Sequence, residues 1–172
     1  QMRAQNLFEV TEAAAIYYEN LLQKAEGKHA LKYLFDRGLS EGSIKNFRIG
    51  YAPSSRNNLR KAMVLQGVSE KLMLEAGLLI KPEDPSREMY DRFRDRVIFP
   101  ISDRRGRIIA FGGRVMGNGE PKYLNSPETP LFNKGNNLYA LPQAVQAARD
   151  SETILVTEGY TDVIALHQAG FK

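Results

Sequence analysis

The fold is decided by residues 87–134, which read REMYDRFRDRVIFPISDRRGRIIAFGGRVMGNGEPKYLNSPETPLFNK. Two β-rich runs lie in this stretch, at residues 97–101 and 107–111, and glycine-containing turn signals separate them from their surroundings. Those signals are Arg105-Gly106, Gly112-Gly113 and Gly117-Asn118-Gly119. We expect a β-hairpin in which residues 97–101 are buried on both faces, because that run is almost continuously apolar.

The same stretch carries the positive charge of the chain. It holds ten Lys or Arg residues against six Asp or Glu, a net charge of +4 that equals the charge of the whole chain. A hairpin with arginines on both sides of a glycine turn suits a surface that binds phosphates. A solvated basic hairpin without a ligand is the alternative that composition leaves open.

The composition is that of an ordinary globular protein of 172 residues, 42% hydrophobic and 26% charged. With no run of 18 apolar residues and no signal-peptide core, we expect neither a membrane span nor secretion. The absence of cysteine excludes disulfides and a cysteine-built zinc site within the sequence. These features fit a cytoplasmic protein.

Short helices are predicted before residue 80. Asn6 and Glu9 resemble a capping pair at the start of the first helix, and Gly27 is expected to end it in a left-handed cap. A second helix covers residues 29–37 and stops at Gly38, and Ser40 caps a third. A helix pair follows at residues 57–66 and 69–76.

Further strands are expected at residues 48–53, 78–80 and 137–141, and Pro142 suits the first turn of a helix. Residues 121–127 form an extended segment restrained by two prolines. It presents Lys122, Tyr123 and Asn125, a set that could reach phosphate, base and sugar. The alternative is an edge strand with ordinary polar faces.

The end of the sequence reads as a strand, a turn and a helix. Residues 153–157 are predicted to be a buried strand, and the helix after it has Val163, Ala165 and Leu166 as its apolar side. Glu158 lies where a parallel strand would end, which is the edge that open α/β sheets use for ligands. Asp162 falls in the first turn of the helix, where negative charge is favourable even without a ligand.

Several short motifs occur in an order that is typical of one family. They are Tyr33-Leu34, Arg37-Gly38-Leu39-Ser40, Ile49-Gly50-Tyr51-Ala52-Pro53, Tyr90-Asp91-Arg92-Phe93-Arg94-Asp95-Arg96, Phe99-Pro100-Ile101, Phe111-Gly112-Gly113-Arg114-Val115, Lys122-Tyr123-Leu124-Asn125-Ser126-Pro127-Glu128-Thr129 and Glu158-Gly159-Tyr160-Thr161-Asp162-Val163. Together they resemble the bacterial replicative DNA primase over nearly the whole chain. The last motif resembles the first acidic motif of the Toprim fold, which primases share with topoisomerases.

The resemblance implies an α+β fold, a small mixed sheet with β-hairpins and short helices, followed by the first strand and helix of a Toprim unit. Residues 1–150 would be the amino-terminal basic subdomain of the RNA polymerase core, and residues 151–172 the start of the Toprim subdomain. Glu158 would be a catalytic acid and, with Asp162, a ligand of Mg²⁺ or Mn²⁺. The residues facing template and nucleotide would be Arg92, Arg94, Arg114, Lys122, Tyr123, Asn125 and Lys134.

The implied activity is the synthesis of short RNA primers on single-stranded DNA. The implied partners are the DNA template, ribonucleoside triphosphates, the RNA–DNA hybrid and a replicative helicase, which a separate carboxy-terminal domain would contact. Zinc would belong to another separate domain. Because the family's later acidic motifs do not occur up to Lys172, we expect the chain to be inactive by itself. A non-catalytic module for single-stranded nucleic acid and another Toprim enzyme, a nuclease or topoisomerase, are the alternatives.

Overall fold

The computed structural model describes residues 6–172 and places a four-stranded antiparallel sheet between two groups of helices. The helices are α1 Leu7–Gln23, α2 Lys28–Asp36, α3 Glu41–Asn46, α4 Asn58–Leu65, α5 Glu70–Glu75, α6 Leu141–Ser151 and α7 Tyr160–Gln168. The strands are β1 Gly50–Ala52, β2 Leu79–Ile80, β3 Tyr90–Asp91, β4 Arg96–Ser102, β5 Ile108–Val115 and β6 Tyr123–Asn125. The α+β class predicted from the sequence is confirmed.

The hairpin of β4 and β5 forms the centre of the sheet, whose strand order is β1-β4-β5-β6. Phe99 pairs with Gly112 and Pro100 with Phe111 across the hairpin, and β4 is buried from Arg96 to Ile101. Both features confirm the hairpin predicted from the sequence. Strands β1 and β6 lie at the edges, as the prolines beside them predict.

Alternating side chains of the hairpin enter two different cores. Ile98 and Phe111 pack with helices α1, α4 and α5 on one face of the sheet. Val97 and Phe99 pack with α2, α3 and Ile164 of α7 on the other face. The second face therefore carries both the small amino-terminal helices and the last helix of the chain.

The predicted helix ends are mostly confirmed. The side chains of Asn6 and Ser40 each accept a backbone N–H in the first turn of their helices, and Gly38 adopts a left-handed φ of +83°. The expected left-handed cap at Gly27 is wrong, because α1 ends at Gln23 and Gly27 has a φ of −89°. Gly27 is required for another reason, since a Cβ there would lie 2.3 Å from the carbonyl oxygen of Leu21.

Two predictions about the middle of the chain are also wrong. Gly112-Gly113 does not end a strand but lies inside β5, where the missing side chains leave room for aromatic rings. Residues 137–141 do not form a strand. Ala140 has a left-handed φ of 58° and α6 begins at Leu141, so the backbone turns where an extended run was expected.

The predicted strand at residues 153–157 is not formed among the described residues. Ile154, Leu155 and Val156 are exposed, Val156 to 77%, and no described strand pairs with them. An apolar run becomes a strand only when a neighbouring strand accepts its backbone hydrogen bonds. The helix after it is confirmed, but its buried residue is Ile164, whereas Ala165 is exposed. In residues 6–172 no helix combines the length and apolar character needed to cross a membrane.

Asp91 in β3 links this strand to the start of α4. Its carboxylate is 1% exposed and accepts the backbone N–H groups of Leu59 (2.9 Å) and Arg60 (3.0 Å). Burial raises the pKa of Asp91 from 3.8 to about 6, although those two N–H groups and nearby Arg94 oppose the change. The folded protein therefore holds this proton more tightly than the unfolded chain.

Because the folded pKa is the higher one, the contribution of Asp91 to the free energy of unfolding is expected to fall by about 3 kcal/mol as pH rises from about 4 to about 6. The measurement is urea unfolding of the wild type and of Asp91→Asn at several pH values. The variant should lack this part of the pH dependence. Parallel profiles for the two proteins would contradict the assignment to Asp91.

Candidate nucleic-acid interface

Arg114 of β5 is the central cation of the predicted surface. It is only 7% exposed, and its Nε donates a hydrogen bond to the Oη of Tyr33 (2.6 Å). Its Nη1 donates to the Oη of Tyr123, the residue directly opposite on β6. Neither partner is an anion, and Arg114 forms no ion pair within residues 6–172. A buried guanidinium held by neutral phenols keeps its full charge for a ligand.

A second group of polar side chains lies around Asn125, which is two positions after Tyr123 in β6 and therefore on the same face of the sheet. Arg92 donates from Nε (3.1 Å) and Nη2 (2.7 Å) to the backbone oxygen of Asn125. The side-chain oxygen of Asn125 accepts a hydrogen bond from the phenol of Tyr160 (2.7 Å). Burial lowers the pKa of Arg92, which still remains charged near neutrality. Arg92 and Asn125 are therefore in direct contact.

Tyr160 joins the acidic motif to this surface. Its ring stacks on Phe99 with centroids 5.1 Å apart and planes 10° apart, and it lies directly over Gly112. Burial raises the pKa of Tyr160 to about 12, with a smaller contribution from Tyr123, so the phenol remains a hydrogen-bond donor. Only glycine at position 112 leaves room for this ring, since a Cβ would lie 2.4 Å from it.

Helix α7 is fixed at its other end as well. Gln168 donates to the backbone oxygen of Gly38 (2.8 Å) and accepts the N–H of Ser40 (2.9 Å). His167 meets the ring of Phe47 edge-on at 5.1 Å. Contacts at both ends therefore set the position of the helix that follows Glu158.

Glu158 and Asp162, the predicted acids, sit at the start of α7. Both are exposed, and neither forms a hydrogen bond or ion pair with another described residue. The two carboxylates are of the ligand type that binds Mg²⁺, because this ion is often held by one or two carboxylates together with waters and substrate phosphates. The part of the chain that the structure describes contains no group of three potential metal ligands.

The other residues predicted for the site are Arg94, Lys122 and Lys134. Lys122 is exposed beside Tyr123, while Arg94 is half-buried with its guanidinium 5.3 Å from the ring centre of Tyr90. Lys134 lies in the short 3₁₀ helix Lys134–Asn136, and its backbone N–H donates to Glu128 (3.0 Å). Among the residues described, the side chain of Lys134 forms no hydrogen bond with Arg114 or Arg92.

Sequence reasoning missed three residues that organise the site. In the sequence Tyr33 and Tyr160 stand out only as parts of motifs, yet they form hydrogen bonds with the predicted site residues Arg114 and Asn125. Arg96 is buried and ties the start of β4 to the β5–β6 loop through the backbone oxygen of Pro121 (2.7 Å). The double glycine was the usable signal for Tyr160, because a strand without side chains leaves space for a large ring.

Fold and site together define an α+β domain with a basic face formed by Arg92, Arg114 and Lys122, which lies beside Glu158 and Asp162. Within residues 6–172, none of these five side chains forms an ion pair. The model of the family "DNA primase catalytic core, N-terminal domain" matches residues 17–145. A DNA primase of Pseudomonas aeruginosa is 50% identical over 167 residues, covering 96% of this chain and 25% of that protein. The chain belongs to the bacterial DNA primase family, and residues 17–145 are the amino-terminal domain of its catalytic core.

Solved primase structures have the same fold. A primase domain from P. aeruginosa is 50% identical with a TM-score of 0.88, and 96% of this chain covers 51% of it. A primase catalytic domain bound to single-stranded DNA is 43% identical with a TM-score of 0.88, covering 97% of this chain and 51% of that one. This chain thus spans about a quarter of the curated relative and half of the solved domains.

Proposed function

We propose that the chain supplies the template- and nucleotide-binding part of a primase that synthesises short RNA primers on single-stranded DNA. Residues 1–150 act as the amino-terminal basic subdomain, and residues 151–172 begin the Toprim subdomain. The observation that carries this proposal is Arg114, a buried guanidinium with two phenol partners and, among the described residues, no carboxylate partner. The relative solved with single-stranded DNA supports nucleic acid as the ligand.

The basic face acts by charge and position. Phosphoryl transfer needs its phosphates held in line and their charge neutralised, and the protein contributes little covalent chemistry. Arg114 and Lys122 hold phosphates of the template or the ribonucleoside triphosphate, and Arg92 keeps Asn125 in place beside them. Tyr123, 44% exposed, offers an aromatic ring to a base of the template or of the RNA–DNA hybrid.

Glu158 and Asp162 supply carboxylate oxygens to Mg²⁺ or Mn²⁺ in this proposal. The bound ion would neutralise phosphate charge and position the reacting oxygens. The stacking of Tyr160 on Phe99 keeps these acids at the edge of the basic face. Residues 154–156, which are exposed, correspond to the first Toprim strand and form it when a neighbouring strand pairs with them.

Binding of single-stranded DNA by the basic face is expected to weaken with salt. Log affinity should fall with log salt by about 0.7 per phosphate contacted, so removing two contacts should reduce the slope by about 1.4. The test compares Arg114→Gln/Lys122→Gln with Lys24→Gln/Lys28→Gln in fluorescence anisotropy with a thymidylate 16-mer. Both pairs remove two positive charges, but only the first lies on the proposed face.

The control pair should keep the wild-type slope. Lys24 and Lys28 are exposed near the junction of α1 and α2, and neither forms an ion pair with a described residue. An equal loss of slope in both double variants would mean that binding depends on diffuse charge. A wild-type chain that does not bind the 16-mer at low salt would reject the proposed function.

A further inference from the structure

Tyr33 of α2 lies between two arginines. Its phenol oxygen accepts the hydrogen bond from Arg114 Nε at 2.6 Å. On the ring face, the guanidinium carbon of Arg37 lies 5.0 Å from the ring centroid. One neutral side chain therefore contacts two guanidinium groups, one through its oxygen and one through its π face.

Neither arginine has its charge neutralised nearby. Within residues 6–172, no ion pair involves Arg37 or Arg114, and the acid next to Arg37 in sequence, Asp36, pairs with Lys32 instead (2.6 Å). A carboxylate in place of the Tyr33 phenol would hold Arg114 equally well but would cancel its charge. A phenol satisfies the Nε–H donor and leaves the charge intact.

Arg114 is held from two sides by different elements. Tyr123 comes from the neighbouring strand β6 and is exposed, so its position follows that edge strand. Tyr33 comes from α2, where it is half-buried beside the fully buried Leu34. The end of α2 is tied to α7 through the bond from Gln168 to Gly38. The direction of Arg114 is thereby linked to the helix that follows Glu158.

We propose that Tyr33 is a positioning residue, whose phenol aims the Arg114 guanidinium at a bound phosphate without neutralising it. This inference rests on the proposed function, because it needs a phosphate ligand on this face. The phosphate group belongs to a single-stranded nucleic acid or to a nucleoside triphosphate, and both contain the same anionic oxygens. Tyr33 itself does not touch the ligand.

The experiment uses the 172-residue chain and the variants Tyr33→Phe, Arg114→Gln and their combination. Affinity is measured with a thymidylate 16-mer in one arm and with ATP in the other. Tyr33→Phe should lower the affinity for the phosphate ligand about tenfold, which is the loss expected when one hydrogen bond to a charged group is removed. In the Arg114→Gln background the same change should have no further effect, because Tyr33 acts only through Arg114.

Tyr90→Phe is the matched control. Tyr90 is another half-buried tyrosine beneath guanidinium groups, those of Arg56 and Arg94, but its phenol forms no hydrogen bond with a described residue. The affinity of the Tyr90→Phe variant for both ligands should equal that of the wild type. Arg114→Lys is a second variant that keeps the charge but removes the Nε–H group, so it should lose affinity as Tyr33→Phe does. It also tests the proposal if Tyr33→Phe does not fold.

The possible results distinguish failure of the role inferred for Tyr33 from failure of the proposed function. If Arg114→Gln weakens binding but Tyr33→Phe and Arg114→Lys do not, the role of Tyr33 is rejected and the proposed function stands. Equal losses from Tyr33→Phe in the wild-type and Arg114→Gln backgrounds also reject it, since Tyr33 would then act independently. A wild-type chain that binds neither ligand rejects both. A tenfold loss in only one arm identifies the phosphate that Arg114 contacts.

Discussion

Glu158→Gln is expected to reduce primer synthesis at least about a hundredfold in a full-length primase that carries this sequence. Removing a group that only orients a metal ligand lowers metal affinity or activity about 10–100-fold, and Glu158 is proposed to be a ligand itself. The side chain is exposed and forms no hydrogen bond or ion pair with a described residue, so no structural contact is lost. The free energy of unfolding of the 172-residue chain should change by less than about 0.5 kcal/mol.

Glu152→Gln provides the control for this substitution. Glu152 is an exposed glutamate six positions earlier, just after α6, and it likewise has no described side-chain partner. Primer assays and melting curves on both variants separate loss of a specific acid from loss of any negative charge. Near wild-type synthesis by Glu158→Gln would remove Glu158 from the mechanism. A drop of several kcal/mol in stability would show that Glu158 supports the fold instead.

Local signals were sufficient to predict most of the fold. The apolar run in β4, the turn after Asp103 and the prolines around β6 each act over a few residues, and all three elements form as expected. Capping at Ser40 and the left-handed Gly38 are equally local. Such features depend on backbone chemistry that neighbouring residues in the sequence largely determine.

Features that depend on distant partners were not predictable. The apolar residues 154–156 have strand character, but strand formation needs a neighbour that no described residue provides. The bond between Arg114 and Tyr33 joins residues 81 positions apart, and the bond between Tyr160 and Asn125 joins residues 35 positions apart. The sequence predicts Arg114 and Asn125 as site residues, whereas the tertiary structure shows which phenols contact them.

Gly112 of β5 connects the basic face with the acidic motif, because Tyr160 of that motif packs directly over it. A Cβ at this position would lie 2.4 Å from the phenol end of Tyr160, so alanine forces the ring off Phe99 and breaks its bond to Asn125. Overpacking of this kind costs about 1–3 kcal/mol. Because Glu158 precedes Tyr160 by two residues, Gly112→Ala should also reduce primer synthesis about a hundredfold, as displacement of a catalytic group by about 1 Å can do.

Two further variants make the test of Gly112 specific. Gly117→Ala is the control, since a Cβ at Gly117 meets no atom of the described residues within 4 Å, and it should retain stability and synthesis. Tyr160→Ala removes the ring that alanine at position 112 would strike, so Gly112→Ala should cost less stability in that background than in the wild type. An equal cost in both backgrounds would place the strain elsewhere in β5. If Gly112→Ala lost stability but kept wild-type synthesis, the stacking of Tyr160 would hold the fold together without positioning Glu158.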